Sequence, residues 1–323
     1  MSDVPGGVTL LDLEPAAADF LEQAIAGLSS DPRTLPSKFF YDEHGSDLFL
    51  KICELPEYYV TRTETEILRH HGAEMADSIG ENAELVGFGT GAGVKTRLLL
   101  GHLRNLIAYV PVDISKQRLT ESAEALSREM PGLEILPVCA DYLQPIDLPT
   151  PSRKPDHIAV YFPGSTIGNL PPETAQHFLK RVARLCGRSG GLIIGVDLQK
   201  SQETLESAYN DSAGVTAEFN LNLLVRANRE IGADFHLEQW RHRAIYNTDA
   251  SRIEMHLISE TDQTVHLGER EFAFAAGEKI ITEFSYKHSV EGFSALARTA
   301  GFQLAKVWTD PQKLFAVFHF TTL

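Results

Sequence analysis

Cysteine is scarce in this sequence, which limits how the fold can be held together. Only three cysteines, Cys53, Cys139 and Cys186, occur among 323 residues. An odd number of widely spaced cysteines matches neither a disulfide framework nor a zinc site. We therefore expect reduced thiols that are mostly buried.

Long apolar runs and an excess of basic charge are also lacking. No segment approaches the roughly 20 consecutive apolar residues of a membrane-spanning helix. With 29 basic and 44 acidic residues the formal net charge is −15, which repels phosphate backbones. The first residues, MSDVPGGVTLLDLEP, contain neither the basic region nor the apolar core of a secretory signal. We expect a cytoplasmic protein without a membrane or nucleic-acid partner.

What the sequence does contain is a regular alternation of strand-like and helix-like segments from about residue 84 to 198. Short apolar runs predict strands, and the segments between them carry apolar residues at helical spacing. This alternation is typical of an α/β fold with a mostly parallel, doubly wound sheet that binds its ligand at the carboxyl ends of the strands. The predicted strands are residues 85–88, 106–112, 133–138, 157–162 and 191–196.

The C-terminal part departs from this alternation. After a predicted helix at 290–300, two apolar runs at 302–308 and 314–320 flank the turn-forming sequence TDPQK. Two such runs predict a terminal antiparallel hairpin.

The remaining segments, residues 1–60 and 201–287, follow neither pattern. Because neither is large enough to form a rich core alone, we expect them to combine into a second domain. The first domain then consists of residues 61–200 and 288–323.

A glycine-rich turn, GTGAG at residues 89–93, lies between the first strand and the first helix of the alternating region. Glycines let a ligand approach the backbone, and the helix N-terminus offers N–H groups. Asp113 ends the next predicted strand, where a carboxylate can accept from both ribose hydroxyls. Asp141 and Tyr142 follow the third strand and could bind an exocyclic amine and flank a base. The pattern favours a nucleotide-type ligand, with a tight turn and exposed acids as the alternative.

A further loop, GSTIGN at residues 164–169, follows the fourth strand and should line the same edge of the sheet. The glycine turn does not complete a GxGxxG motif, because Val94 stands where the third glycine would fall. An antiparallel C-terminal ending is also unusual for dehydrogenases. A methyl donor therefore fits better than a nicotinamide hydride carrier, which stays open as an alternative.

Several longer motifs lie in both predicted domains. They are FYD at 40–42, GSDLF at 45–49, LPEYY at 55–59, TRTE at 61–64, KTR at 95–97, GSTIGN at 164–169, YNDSAGVTAEFN at 209–220, RIEM at 252–255 and TEFS at 282–285. Together with the glycine turn, they resemble the S-adenosylmethionine-dependent histidine Nα-methyltransferases of ergothioneine biosynthesis, which make the trimethylated betaine hercynine. The resemblance spans nearly the whole chain.

The resemblance implies a Rossmann-like class I methyltransferase sheet and a second, substrate-binding α+β domain. It implies that the methyl donor is held by Gly89, Gly91, Lys95, Asp113, Asp141 and Tyr142, with Tyr41 closing the site. It implies that the amino-acid end of the substrate is bound by Tyr58, Gly164, Asn169 and Tyr209. It also implies that the imidazole is held by Glu283 and Ser285, beside a pocket wall of Phe49 and Met255.

The chemistry of Glu283 and Ser285 agrees with a histidine substrate. An imidazole needs polar partners at both nitrogens, and residues i and i+2 of an extended segment face the same side. An apolar amino acid would leave Glu283 unpaired in a closed site, which is costly. Without the resemblance, a solvated strand acid is the simpler interpretation of Glu283.

Transfer of a methyl group requires a neutral amine, and α-amino groups in peptides have pKa values of about 7.7 to 8.0. Burial and a nearby sulfonium both favour the neutral form. We expect Tyr41 to orient the amine and Asn169 to anchor the carboxylate, which makes these two the candidate catalytic residues. No HxxxH or HxH pattern with acids occurs, so we expect no metal, and we expect a monomer.

The glycine turn follows Gly87, where the resembled family usually carries an acidic residue. Two alternatives therefore stay open beside histidine methylation. One is a methyltransferase for another amino acid or amine, and the other is a catalytically silent binding protein of the same fold.

Overall fold

The structure is a computed structural model that describes residues 2–4, 8–13, 17–89 and 93–323. Its strands are β1 Ser2–Val4, β2 Val8–Asp12, β3 Ala83–Phe88, β4 Ala108–Asp113, β5 Glu134–Ile135, β6 Val138–Cys139, β7 His157–Phe162, β8 Gly191–Asp197, β9 Trp240–Asn247, β10 Arg252–Ser259, β11 Gln263–Leu267, β12 Arg270–Phe274, β13 Lys279–Tyr286, β14 Phe302–Thr309 and β15 Phe315–Thr322. Its α-helices are α1 Ala17–Leu28, α2 Glu43–Glu54, α3 Tyr59–Ile79, α4 Val94–Leu100, α5 Lys116–Glu129, α6 Pro172–Cys186, α7 Gln202–Tyr209, α8 Val215–Ile231 and α9 Val290–Thr299.

The chain divides into two compact units. The first contains Val60–Gln199, Lys287–Leu323 and the described residues of Met1–Glu14. The second contains Lys200–Tyr286 and the described residues of Pro15–Tyr59.

A single large sheet organises the first unit, with strand order β1-β2-β6-β4-β3-β7-β8-β15-β14 and β5 beside β4. The strands from β2 to β8 along this path pair in parallel, whereas β15 pairs antiparallel with both β8 and β14. Every residue of β3 and β8 is buried, as expected for parallel strands covered on both faces. The predicted Rossmann-like α/β sheet with a C-terminal antiparallel hairpin is confirmed.

Strand order reverses at β3, since β4 and β6 lie on one side of it and β7 and β8 on the other. In such sheets the crevice for a ligand lies outside the carboxyl ends of the strands at this switch point. The residues that follow β3, β4 and β7 are therefore the ones placed to contact a ligand.

The third predicted strand, residues 133–138, forms two short pieces, β5 and β6, rather than one. Pro137 lies between them and has no N–H to donate to a neighbouring strand. The Leu136 N–H still donates to the Tyr109 carbonyl oxygen at 2.9 Å. The break is thus local, and the direction of the chain toward Asp141 is kept.

The core of the first unit is rich in phenylalanine from both the sheet and the helices on it. Phe178 of α6, Phe293 of α9 and Phe318 of β15 are fully buried in one cluster. Cys186 lies in the same cluster, where burial raises the pKa of its thiol to about 12. Among the described residues none of the cysteines is joined in a disulfide.

The second unit combines helices with antiparallel strands and is an α+β structure. Its sheet has the order β13-β10-β9, and β11 and β12 form a separate hairpin. Helix α8 packs against α1, α2, β9 and β10. The Asp42 side chain caps α2 by accepting from the Gly45 N–H at 2.8 Å.

The structure differs from the predicted domain boundary at the N-terminus. The sequence predicts residues 1–60 in the second domain, but the described residues of Met1–Glu14 belong to the first unit. Strand β2 pairs in parallel with β6, with Leu11 opposite Val138, and so extends the large sheet of the first unit. The Leu11 N–H donates to the Pro137 carbonyl oxygen at 3.0 Å. A strand of only five residues gains its stability from such a ladder, which is set by long-range pairing and not by local pattern.

A buried ion pair joins the residues on either side of Lys200–Tyr286, the longer segment of the second unit. Lys287 Nζ lies 2.7 Å from Asp197 Oδ2, and both side chains are fully buried. The Asp197 N–H also donates to Ser165 Oγ at 2.9 Å. Removing one member of a buried pair leaves an uncompensated charge, which costs about 3 to 5 kcal/mol.

Replacing Lys287 with Met should therefore lower the free energy of unfolding by about 3 kcal/mol in urea titrations. The control is Lys306→Met, which removes an exposed ammonium that pairs with Glu74 in the same unit. An exposed pair contributes about 1 kcal/mol or less, so this variant should unfold close to wild type. Equal losses for the two variants would contradict the importance of the buried pair.

Candidate functional site

The carboxyl edge of the large sheet brings several predicted donor-binding residues together. Gly89 follows β3 with φ +58°, a left-handed conformation that favours glycine. A Cβ built on it would lie 3.7 Å from Tyr142 Cε1 and 3.8 Å from Thr166 Cγ2. Gly89, Tyr142 and the loop after β7 are thus neighbours. Gly91 lies outside the described residues.

The two predicted acids are held by backbone groups just after their strands. Asp113 Oδ1 accepts from the Ser115 N–H at 3.0 Å, and Asp141 Oδ1 accepts from the Leu143 N–H at 2.9 Å. Asp113 is half-buried and Asp141 is buried. These bonds orient both carboxylates, which are acceptors of the kind that hydroxyl and amino groups require.

Tyr142 belongs to an aromatic cluster below this edge. Its ring centroid lies 5.4 Å from that of Phe162, 5.8 Å from Phe178 and 6.0 Å from Phe88. Gly89, two oriented acids and an anchored aromatic ring thus follow the strands β3, β4 and β6 of the first unit.

Lys95, predicted to contact the donor, forms an ion pair that sequence analysis did not foresee. Its Nζ lies 2.5 Å from Oε2 of Glu64, whose side chain is fully buried. The same carboxylate accepts from the Gly164 N–H at 2.9 Å. Glu64 therefore ties Lys95 to the loop after β7. A Cβ at Gly195 would lie 2.2 Å from Glu64 Oε1, so only glycine leaves room for this carboxylate.

The loop at residues 164–169 makes a sharp turn before a short 3-10 helix that ends at Asn169. Gly164 and Ser165 are both left-handed, with φ of +80° and +58°. This conformation is uncommon for a serine and is held here by the hydrogen bond from the Asp197 N–H to Ser165 Oγ. Asn169 is half-buried at the end of this loop.

In the second unit, four predicted residues belong to one aromatic cluster. The ring of Phe49 lies 5.7 Å from Tyr41 and 6.4 Å from Tyr58, and Tyr58 lies 6.2 Å from Tyr209. Phe219, which was not predicted, lies 5.8 Å from Tyr41 and 6.1 Å from Phe49. Burial raises the pKa of Tyr58 well above its usual value, and the neighbouring Tyr209 raises it further, so Tyr58 keeps its hydroxyl proton.

The remaining predicted residues lie on the sheet of the second unit. Met255 of β10 stands directly opposite Glu283 of β13, so both side chains face the same side. Ser285 lies two residues further along and accepts a hydrogen bond from the Tyr209 hydroxyl at 2.9 Å. Glu283 and Ser285 are both buried. A carboxylate, a hydroxyl and an aromatic cluster thus come together in this unit.

The predicted site residues are divided between the two units. Those of the first unit are Gly89, Lys95, Asp113, Asp141, Tyr142, Gly164 and Asn169. Those of the second unit are Tyr41, Phe49, Tyr58, Tyr209, Met255, Glu283 and Ser285.

Within the described part of the chain, every helix is too short or too polar to span a membrane. Across residues 2–4, 8–13, 17–89 and 93–323, no group of three or more His, Cys, Asp or Glu side chains is arranged to hold a metal ion.

Two residues beside the predicted sites were missed, although the sequence carries a signal for one of them. Glu64 lies on α3 between the buried Val60 and Leu68, so a charge interrupts an apolar helix face. Such an interruption often marks a paired, buried carboxylate. Phe219 carries no such signal, because an aromatic residue on a helix is most often part of the core.

Similarity to known proteins extends over both units. A family described as histidine-specific, SAM-dependent methyltransferases matches residues 20–322. The histidine N-alpha-methyltransferase of Mycolicibacterium smegmatis is 42% identical over 303 residues, which cover 92% of this chain and 93% of that protein. Its counterpart in Mycobacterium tuberculosis is 40% identical over 291 residues, covering 88% and 89%. Ergothioneine biosynthesis protein 1 of Neurospora crassa is 32% identical over 289 residues, covering 86% of this chain and 32% of that protein. The chain belongs to the histidine-specific, S-adenosylmethionine-dependent methyltransferases.

Proposed function

We propose that this methyltransferase acts on the α-amino nitrogen of L-histidine and adds up to three methyl groups, giving hercynine. The observation that carries the proposal is that Glu283 and Ser285 are both buried and lie on the same face of β13. A carboxylate and a hydroxyl there can serve the two ring nitrogens of an imidazole. A role in ergothioneine biosynthesis follows from the names of the relatives and is part of the same proposal.

The first unit is proposed to bind S-adenosylmethionine, which supplies an electrophilic methyl group when bound. Asp113 would accept from the ribose hydroxyls, as acids at the end of the second strand do in related sheets. Asp141 and Tyr142 would bind the base of the donor. Asp141 would accept a hydrogen bond from the amino group of the base, and the ring of Tyr142 would pack against the face of the base. Gly89 leaves room for close approach, and the assignments of Gly91 and Lys95 rest on the family resemblance.

The second unit is proposed to bind the side chain of the substrate. Phe49 and Met255 would form the apolar wall beside the imidazole, and Glu283 and Ser285 would hold its nitrogens. Tyr58 would bind the amino-acid end through its hydroxyl. The Tyr209 hydroxyl donates to Ser285, so the assignment of Tyr209 to that end rests on the family resemblance. For Gly164 and Asn169 of the first unit, a role in binding that end rests on the family resemblance.

The chain needs no strong base for this reaction. Burial disfavours the charged form of an amine, and the positive sulfonium of a bound donor would disfavour it further, so the amine would give up its proton more easily in the site. Tyr41 would orient the resulting lone pair, and Asn169 would anchor the carboxylate so that the nitrogen returns to one place. Fixed orientation of this kind supplies much of the rate of a bimolecular reaction.

A binding protein without turnover is the second candidate, and one observation favours it. Gly87 occupies the position at which the family usually carries an acid before the glycine turn. It lies inside β3, paired with Pro111 of β4 and Tyr161 of β7. Loss of that acid would weaken the binding of the methionine ammonium of the donor.

The direct experiment is incubation of the purified protein with methyl-labelled S-adenosylmethionine and L-histidine, followed by mass spectrometry. Histidine carrying one, two and three methyl groups on its α-nitrogen is the expected result. Label only on another amine would contradict the substrate assignment. Calorimetric binding of donor and histidine without any transfer would favour the second candidate.

Glu283→Gln should raise the KM for histidine about 10-fold or more and leave donor affinity within about two-fold. The KM for histidine rises because the variant loses a charge-assisted hydrogen bond to the imidazole, which contributes about 1.5 to 3 kcal/mol. Steady-state kinetics and calorimetry with S-adenosylhomocysteine measure the two effects. Equal losses for both ligands would sink the assignment.

Asp113→Asn should do the reverse, weakening S-adenosylhomocysteine binding about 10-fold while the KM for histidine stays near that of wild type. Asp156→Asn is the matched control. Asp156 is exposed and precedes β7, at the amino end of the sheet, where it accepts from Asn82 Nδ2. Similar donor affinities for the two variants would exclude Asp113 from the donor site.

A further inference from the structure

Asn220 of α8 is a fully buried polar residue to which no site described above assigns a role. Its Nδ2 donates to His242 Nδ1 at 2.8 Å and to the His256 carbonyl oxygen at 3.1 Å. Its Oδ1 accepts from the Thr282 hydroxyl at 2.6 Å. Both N–H groups and the acceptor of this one amide are therefore used, within the second unit.

The contact with Thr282 lies at an irregularity in the sheet. Met255 pairs with Glu283, but the next residue, His256, pairs with Ile281. Thr282 is thus the extra residue of a β-bulge, and its Oγ1 also lies 3.1 Å from the Met255 carbonyl oxygen. Side chains alternate along a strand, so a slip of one residue would turn Glu283 to the other face. The hydrogen bond to Asn220 therefore holds Thr282, the residue that determines which face of β13 carries Glu283.

The contact with His242 leads to Tyr209. Because His242 Nδ1 accepts from Asn220, its ring proton resides on Nε2, which donates to the Tyr209 carbonyl oxygen at 2.8 Å. Burial lowers the pKa of His242, which keeps the ring neutral and suited to this arrangement. One amide therefore connects the backbone of Tyr209 with the residue before Glu283.

We propose that Asn220 is a positioning residue for substrate binding, which holds Tyr209 and the Glu283–Ser285 face of β13 in register with each other. The inference rests on the proposed function of Tyr209, Glu283 and Ser285. The hydrogen bond from the Tyr209 hydroxyl to Ser285 Oγ closes the same loop of contacts from the other end. Asn220 itself touches no substrate.

Only an amide of this length supplies what the three neighbours need. Asp at position 220 would offer no donor to His242 Nδ1 or to the His256 carbonyl, and would place a charge against that carbonyl oxygen. Ala would leave the buried Thr282 hydroxyl without its acceptor on α8. Either change leaves buried polar groups unsatisfied, so the two segments lose their common anchor.

The test compares Asn220→Asp with Asn228→Asp, a control on the same helix. Asn228 also uses its amide twice, donating from Nδ2 to the Phe235 carbonyl at 2.8 Å and accepting from the Phe235 N–H at 2.9 Å. Asn220→Asp should raise the KM and Kd for histidine about 10-fold, with affinity for S-adenosylhomocysteine within about two-fold of wild type. Asn228→Asp should leave both ligand affinities unchanged even where it lowers the unfolding midpoint.

A second pair of variants addresses the possibility that Asn220→Asp does not fold. Thr282→Val keeps the shape but removes the hydroxyl, and Thr282→Ser keeps the hydroxyl. Weak histidine binding in Thr282→Val with near wild-type binding in Thr282→Ser supports the proposal. Unchanged histidine affinity in the Asn220 and Thr282→Val variants, beside a loss in Glu283→Gln, overturns this inference alone. A wild-type protein that binds no histidine overturns the proposed function as well.

Discussion

The register between β10 and β13 is the constraint on which the proposed substrate chemistry depends. One extra residue, Thr282, places Glu283 and Ser285 on the side of β13 that Met255 faces. Without that extra residue the carboxylate and the hydroxyl would turn to the opposite side of the strand, away from the side that Met255 faces. The bulge is itself held by the buried amide of Asn220 on α8, so the register of the sheet depends on a contact with a helix.

In the first unit, the residues proposed to bind the donor follow the ends of parallel strands, and buried charges fix the loops. Glu64 binds the Gly164 N–H and the Lys95 ammonium, and Asp197 pairs with Lys287 while its N–H binds Ser165. The Glu64 carboxylate thereby holds Gly164, and the backbone N–H of Asp197 holds Ser165, the next residue of the same turn. Because the Glu64 and Asp197 carboxylates are both desolvated, each needs its cationic partner to remain in place.

Much of the first unit could be predicted because its signals are local. Apolar runs such as those of β3 and β8 identify buried strands, and the order of strands and helices limits the topology. Strand β2 escaped prediction because its place depends on pairing with β6, which lies far along the chain. The role of Asn220 could not be predicted either, because it also depends on partners far along the chain. It stands within the motif that begins at Tyr209, but a polar residue on a helix discloses its role only when its partners on other strands are known.

A crystal structure of the protein with S-adenosylhomocysteine and L-histidine would show directly where the imidazole binds. We expect one imidazole nitrogen within about 3 Å of the Glu283 carboxylate and the other within hydrogen-bond distance of Ser285. We also expect Thr282 to keep its bond to Asn220 in that complex. A histidine ring bound elsewhere, with Glu283 contacting only protein atoms, would contradict the proposed role of the Glu283–Ser285 face.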